Sequence, residues 1–150
     1  MRRKLVVWIR ADKEITDMDS ITRTVLPSNC DATMGFVTEE LKEGYARWSW
    51  TIADDRFNNP IGTVHGGFLA VFADEVMGSC MATTLGEGES FTTAELKINY
   101  MKPVGKETIK GEGFVIRRGR HIGFLEVKIV NADGDLVATA TSTVVMIHPD

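Results

Sequence analysis

Asn59-Pro60-Ile61-Gly62-Thr63-Val64-His65-Gly66-Gly67-Phe68-Leu69-Ala70-Val71-Phe72-Ala73-Asp74-Glu75-Val76-Met77-Gly78-Ser79-Cys80-Met81-Ala82-Thr83-Thr84-Leu85-Gly86 is the stretch whose reading decides the fold. From Gly66 it is too long for one strand, rich in Ala, Met and Leu, and it stops at Gly86, a residue suited to a helix C-cap. It predicts a helix over about 66–85. Apart from Asp74 and Glu75 that helix is apolar nearly all round. It leaves no polar face for water, so other structure must wrap it. The two central charges also exclude a membrane span, which needs about 20 mostly uncharged residues.

Strands on both sides of the helix supply the wrapping. Upstream, Gly35-Phe36-Val37 leads to a turn at Lys42-Glu43-Gly44, and Tyr45 to Ile52 alternates Tyr45/Arg47/Ser49/Thr51 against Ala46/Trp48/Trp50/Ile52, the pattern of a half-buried strand. Trp48 and Trp50 on one face read as core or interface packing. Downstream, Phe91 to Met101 alternates and ends at Lys102-Pro103; Thr108 to Arg117, His121 to Val130 and Leu136 to Ile147 follow, joined by turns at Arg118-Gly119 and Asp133-Gly134. Three strands joined by tight turns make an antiparallel meander. The expectation is an α+β domain: a curved antiparallel sheet of five to six strands around one long hydrophobic helix. Residues 34–150 form that domain. Residues 1–33 read as an N-terminal extension with a short helix over Asp17 to Arg23 and an irregular approach at Leu26-Pro27-Ser28-Asn29.

Composition bounds the function. With 150 residues, one core can bury about 70% of the surface that the unfolded chain exposes, enough without metal or disulfide. A formal charge of -4 argues against a general nucleic-acid binder, which needs a basic face. Cys30 and Cys80 stand 50 residues apart with no CxxC spacing, so neither a metal site nor a disulfide framework is expected. The basic start, Met1 to Arg10, holds an apolar run of five residues, short for a secretory signal. A reducing, cytoplasmic setting is expected, with no membrane association. Asn131-Ala132-Asp133-Gly134-Asp135 resembles the start of a calcium loop but lacks the distal glutamate and fits a hairpin turn.

Two features carry chemistry. Burying an ionised carboxylate without partners is expensive, so Asp74 in the middle of an apolar helix either meets a backbone group or a cation from a neighbouring strand, or works. Glu75 lies about 100° further round and reads as a surface or interface charge that does not share a cavity with Asp74. At the helix start, His65-Gly66-Gly67 exposes amides that lack internal acceptors and carry the positive end of the dipole, so a substrate oxygen can approach them closely. That is the layout of an oxyanion hole. His65 by itself reads more as a structural hydrogen-bonding residue than as an acid or base.

In combination, Asn59, His65-Gly66-Gly67 and Asp74 nine residues after the histidine resemble the hot-dog fold acyl-CoA thioesterases, in particular the phenylacetate-degradation branch that includes 4-hydroxybenzoyl-CoA thioesterases. The resemblance continues through Leu96 to Pro103, Arg117 to Arg120 and Asn131 to Ala138, and covers roughly Gly35 to Ile147. It implies a hot-dog fold and hydrolysis of an acyl- or aryl-CoA thioester. It makes Asp74 the catalytic carboxylate, as general base or nucleophile, and gives the thioester carbonyl to the Gly66 amide. Asn59 and His65 would surround the reacting centre, and Thr93 would sit near the attacking water. It also implies that the carboxylate faces the glycine loop of another subunit, in a homodimer or dimer of dimers that shares its active sites. Gly78 stands where some relatives carry a hydroxyl, four residues after the carboxylate.

Such hydrolysis needs a positioned base and two or so oxyanion donors, each worth about 3 kcal/mol by analogy with measured oxyanion holes, and no metal or other cofactor. An apolar helix wall would raise the carboxylate's pKa toward neutrality. Arg117, Arg118 and Arg120 cluster at one hairpin of an otherwise acidic chain, either as a solvated turn or as partners for the phosphates of coenzyme A. Gly67, Phe68 and Met77 are the remaining candidates for substrate contact. Two other functions fit the same fold: a hydratase or dehydratase of acyl-CoA, and a non-catalytic acyl-CoA binder or sensor.

Overall fold

The computed structural model describes residues 28–148, so the helix expected over Asp17 to Arg23 lies outside the described residues. The chain runs α1 (Asn29–Met34), β1 (Phe36–Lys42), β2 (Tyr45–Thr51), a 3-10 turn (Asp55–Phe57), α2 (Gly66–Ala82), β3 (Ser90–Tyr100), β4 (Thr108–Arg118), β5 (Ile122–Val130) and β6 (Leu136–Ile147). All six strands form one antiparallel sheet in the order β1-β2-β4-β5-β6-β3. This is the hot-dog arrangement: the β4-β5-β6 meander lies between the β1-β2 hairpin and β3, which pairs along the length of β6 as an edge strand. The turn at Asn131–Asp135 is closed by hydrogen bonds from the Asn131 N–H to the Asp135 carbonyl and from the Asp135 N–H to Asn131 Oδ1, at 2.9 and 2.8 Å, and works as a hairpin turn.

The core lies between α2 and the concave face of the sheet. Leu69, Phe72, Ala73, Val76, Met77, Cys80 and Met81 of the helix are buried together with Trp48, Trp50, Ile109, Leu125, Val127 and Ile129 of the strands. Trp50 packs edge-on to Phe36 and Phe57. The helix can come this close because β4 has no side chain where they meet. A Cβ at Gly113 would lie 2.7 Å from Cys80 Sγ and 3.0 Å from Val76 Cγ1.

Two expectations change. Ser28 and Asn29 are not an irregular approach: Ser28 caps α1 in a capping box, its Oγ accepting from the Asp31 N–H at 3.0 Å while Asp31 Oδ2 accepts from the Ser28 N–H at 2.6 Å. The helix α2, expected over about 66–85, runs to Ala82 and turns on through Leu85, where the Thr84 and Leu85 N–H groups donate to the Met81 and Ala82 carbonyls at 3.0 and 3.3 Å. It is not enclosed on all sides within one chain. Gly67, Val71 and Asp74, spaced four and three residues apart, form an exposed stripe on the side away from the sheet. One sheet covers one side of a helix, and the apolar sequence does not change that. Among the described residues no helix is long and apolar enough to cross a membrane.

Gly113→Ala is expected to destabilise the fold by about 1–3 kcal/mol, because the added methyl meets a packed core. Gly105→Ala, where an added Cβ meets nothing within 4 Å, is the control and should stay near neutral. Urea unfolding of the two variants checks this.

Candidate active site

Asp74 projects from the open stripe of α2 toward β3. Thr93 meets it there, its hydroxyl donating to Asp74 Oδ1 at 3.1 Å. The pairing of β3 with β6 shifts register between Thr93 and Glu95, and such a bulge re-aims the side chains beside it. The two residues line a cavity of about 270 Å³ with Glu75, Gly78, Ser79, Ala82, Phe91 and Thr92. Asp74 is exposed by area, yet its carboxylate stands against the cavity wall. Partial desolvation holds its carboxyl above the ordinary carboxylate range, and the Thr93 hydrogen bond pulls it back down. With Oδ1 engaged by Thr93, Oδ2 has no hydrogen-bond partner among the described residues.

A second group of residues sits at the start of α2. Asn59 holds the loop: its Oδ1 accepts from the Ile61 and Thr63 N–H groups at 3.1 and 3.2 Å, and its Nδ2 donates to Thr63 Oγ1 at 2.9 Å. His65 is the N-cap, its Nδ1 accepting from the Gly67 N–H at 3.1 Å. Tyr100, at the end of β3, donates its hydroxyl to the Gly66 carbonyl at 2.7 Å. The Gly66–Gly67 peptide is thus held from both sides, by His65 at its N–H and by Tyr100 at its carbonyl. Gly67 has spent its amide, whereas the Gly66 N–H has no acceptor among the described residues and lies at the positive end of the helix. The Tyr100 ring lies so near that a Cβ on residue 66 would fall 2.8 Å from Cζ.

Eight residues of helix, at about 1.5 Å each, separate Gly66 from Asp74 by about 12 Å. One chain therefore brings Asp74 and Thr93 together in the cavity, and Asn59, His65, Gly66 and Gly67 together at the helix start, without joining the two groups. Phe68 belongs with the second group and packs on Phe57 at 5.2 Å. Met77 is buried in the core and does not line the cavity. Arg118 is paired with Glu89, while Arg117 and Arg120 are exposed at the β4-β5 turn. Along the sheet Arg118 pairs with Gly123, Gly123 with Val144 and Val144 with Thr93, so the arginine turn is level with the cavity.

Two residues were missed by sequence reasoning. Tyr100 gave no local signal, because its role depends on a contact 34 residues away. Glu75 is not a surface charge: it is half-buried and lines the same cavity as Asp74, since the cavity is wide enough to span the 100° between them.

Comparison with known proteins bears on this site. A thioesterase superfamily model matches residues 61–138, the span from the loop before α2 into β6. A Saccharolobus solfataricus protein provisionally named an esterase is 34% identical over 86 residues, covering 57% of this chain and 61% of its own. Human acyl-coenzyme A thioesterase 13 is 32% identical over 93 residues, 60% of this chain and 65% of its own. The chain thus spans less than two thirds of the length of these two relatives. A solved structure of a phenylacetic acid degradation-related protein from Ralstonia eutropha is 30% identical and superposes with a TM-score of 0.75, covering 85% of this chain and 97% of that one.

Thr93→Val removes the hydroxyl that holds Asp74 down, so the Asp74 carboxyl should titrate at higher pH than in the parent. Carboxyl carbon NMR of aspartate-labelled protein, with Asp74→Asn to assign the signal, checks the direction.

Proposed function

The chain belongs to the thioesterase superfamily, and from that premise we propose that it hydrolyses an acyl- or aryl-CoA thioester to the free acid and coenzyme A. The observation that carries this reading is the Asp74–Thr93 pair, a partly desolvated carboxylate with one oxygen held and the other open, set in a cavity of about 270 Å³. Asp74 Oδ2 takes a proton from water as the water oxygen attacks the thioester carbonyl. The C=O becomes an oxyanion, which the free Gly66 N–H stabilises. Collapse of the tetrahedral intermediate breaks the C–S bond, the thiolate takes up the proton, and the acid leaves with its new C–O bond. The step needs no cofactor. Asn59, His65 and Tyr100 act by holding the loop and peptide that present Gly66.

The 12 Å between Gly66 and Asp74 means that a carbonyl on the one cannot be attacked by water held on the other within one chain. The working site therefore joins Asp74 and Thr93 of one subunit to the helix start of a second, in a homodimer or a dimer of dimers. Arg117 and Arg120, without an acidic partner among the described residues, supply cations for the phosphates of coenzyme A.

Thiol release from a panel of benzoyl-, phenylacetyl- and straight-chain acyl-CoA thioesters tests the reaction. The parent should release thiol from at least one, and Asp74→Asn should lose about 100-fold or more in kcat. Silence of the parent across the panel, with tight binding of the same thioesters in calorimetry, would mark a binding module instead.

The shared site is tested by mixing. Gly66→Pro removes the amide, and proline suits the first helical position because His65 already has the extended backbone, φ -64 and ψ 131, preferred before proline. Only the end of the exposed Tyr100 side chain must move. This variant should lose about 100-fold in kcat, and co-refolding it with Asp74→Asn should restore a large part of the activity. Two inactive partners that stay inactive as a verified hetero-oligomer would overturn the shared site.

A further inference from the structure

Beside Asp74 the cavity holds an arrangement that the hydrolysis does not use. Asp31, on α1, is 1% exposed, and while one of its oxygens accepts from the Ser28 N–H, the other, Oδ1, is buried with no donor. Ser79, which lines the cavity on α2, is 3% exposed, and its Oγ is likewise buried without a partner. A buried carboxylate oxygen left without a donor is costly. Glu75 lines the cavity beside Ser79, and its carboxyl feels the charge and the hydrogen-bonding oxygens of Asp31.

The groups that face Glu75 belong to α1, α2 and β3. Asp31 and the Cys30 thiol come from α1, and Asp74 and Ser79 from α2. β3 lends Phe91, Thr92 and Thr93 to the cavity wall, none of which titrates in this range. Among the described residues no cation forms an ion pair with Glu75. Two carboxyl groups in contact without a cation hold a proton between them, because both cannot ionise. That proton gives Asp31 Oδ1 the donor it lacks.

We propose that Glu75 and Asp31 form a carboxyl pair in which Glu75 holds the proton and donates it to Asp31 Oδ1, so that Glu75 adds no charge to the cavity wall and Asp74 is the charged carboxylate facing the acyl group. Glu75 is a positioning residue in this scheme: it acts on Asp74 and on the acyl group through its charge state. Its carboxyl is pushed up to about 8, first by desolvation and then by the charge and hydrogen bond of Asp31, with a smaller contribution from Asp74. Above that pH a second negative charge enters the cavity. Binding of an apolar acyl group weakens, and KM rises more than kcat falls.

The effect on Asp74 rests on the proposed hydrolysis, whereas the pair itself is read without it. Raising the folded value of a carboxyl above its unfolded value of 4.5 means that the folded chain keeps a proton which the unfolded chain has released. Stability from this group is therefore full below about pH 4.5 and lost as pH rises toward about 8. Thermal unfolding of the parent and of Glu75→Gln should nearly coincide at about pH 5 and separate by several degrees at about pH 9, the parent being lower. Asp31→Asn, which removes the charge but keeps a polar side chain, should move the upper end of that window to lower pH by about one unit or more.

In hydrolysis the parent should show an alkaline rise in KM of about threefold or more that Glu75→Gln lacks and Asp31→Asn shifts to lower pH. Parallel unfolding curves for parent and Glu75→Gln overturn the pair. Diverging curves with an unchanged alkaline limb in Glu75→Gln overturn its action on Asp74. If the parent hydrolyses no thioester, the reading of Asp74 falls while the unfolding curves still decide the pair.

Discussion

Everything in this molecule follows from burying one apolar helix under one sheet. A single curved sheet can close over only part of a helix, and here the approach is made closer by Gly113, where the backbone of β4 meets Val76 and Cys80 without an intervening side chain. The opposite stripe of the helix, through Gly67, Val71 and Asp74, is left outside the core. A carboxylate can sit in the middle of this helix because it occupies that stripe. Had Asp74 taken the place of Ala73 or Val76, both fully buried, it would have faced the sheet with no cation to meet it. The edge strand β3 then completes the position, since its bulge brings Thr93 to the carboxylate and its last residue, Tyr100, to the helix start.

In the proposed reaction the same helix divides the chemistry. Its N-terminus offers unsatisfied amides and a partial positive charge, and its middle offers the carboxylate, but a rigid rod keeps these about 12 Å apart. The local contacts at the N-terminus also reduce its donors to one. Both sides of the Gly66–Gly67 peptide are occupied, and the Gly66 N–H is what remains. This is preorganisation in a concrete sense: the donor is aimed by His65, Asn59 and Tyr100 before any ligand arrives.

What could be read from the chain was what local pattern encodes. The helix showed in its length and composition, the strands in their alternation and the hairpins in Glu43-Gly44 and Asp133-Gly134, because each depends on neighbours in sequence. Asp74 stood out because its charge contradicts its surroundings. The open stripe did not show, since a uniformly apolar helix has no pattern to say which side the sheet will cover. Tyr100 and Asp31 did not show either. Each meets α2 through packing between segments more than 30 residues apart, and neither sits in a run that sets it off from its neighbours. The capping box of Ser28 and Asp31 was legible in principle, from the Ser-x-x-Asp spacing, but a helix of six residues offers no periodicity to draw attention to it.

Asp74 and Glu75 are adjacent acids on one helix and share one cavity, yet their surroundings push them toward different protonation states. Both are desolvated, which lifts both. The Thr93 hydroxyl gives Asp74 a donor, and a donor favours the ionised form. Glu75 meets mainly acceptors and negative charge, in Asp31 and in Asp74 itself, with only Ser79 pulling the other way, and acceptors favour the acid. Burial lifts both carboxyls, and the opposed hydrogen bonds widen the separation between them. In the proposed scheme this divergence divides the roles: Asp74, ionised, takes a proton, and Glu75, neutral, sits beside an apolar group without repelling it.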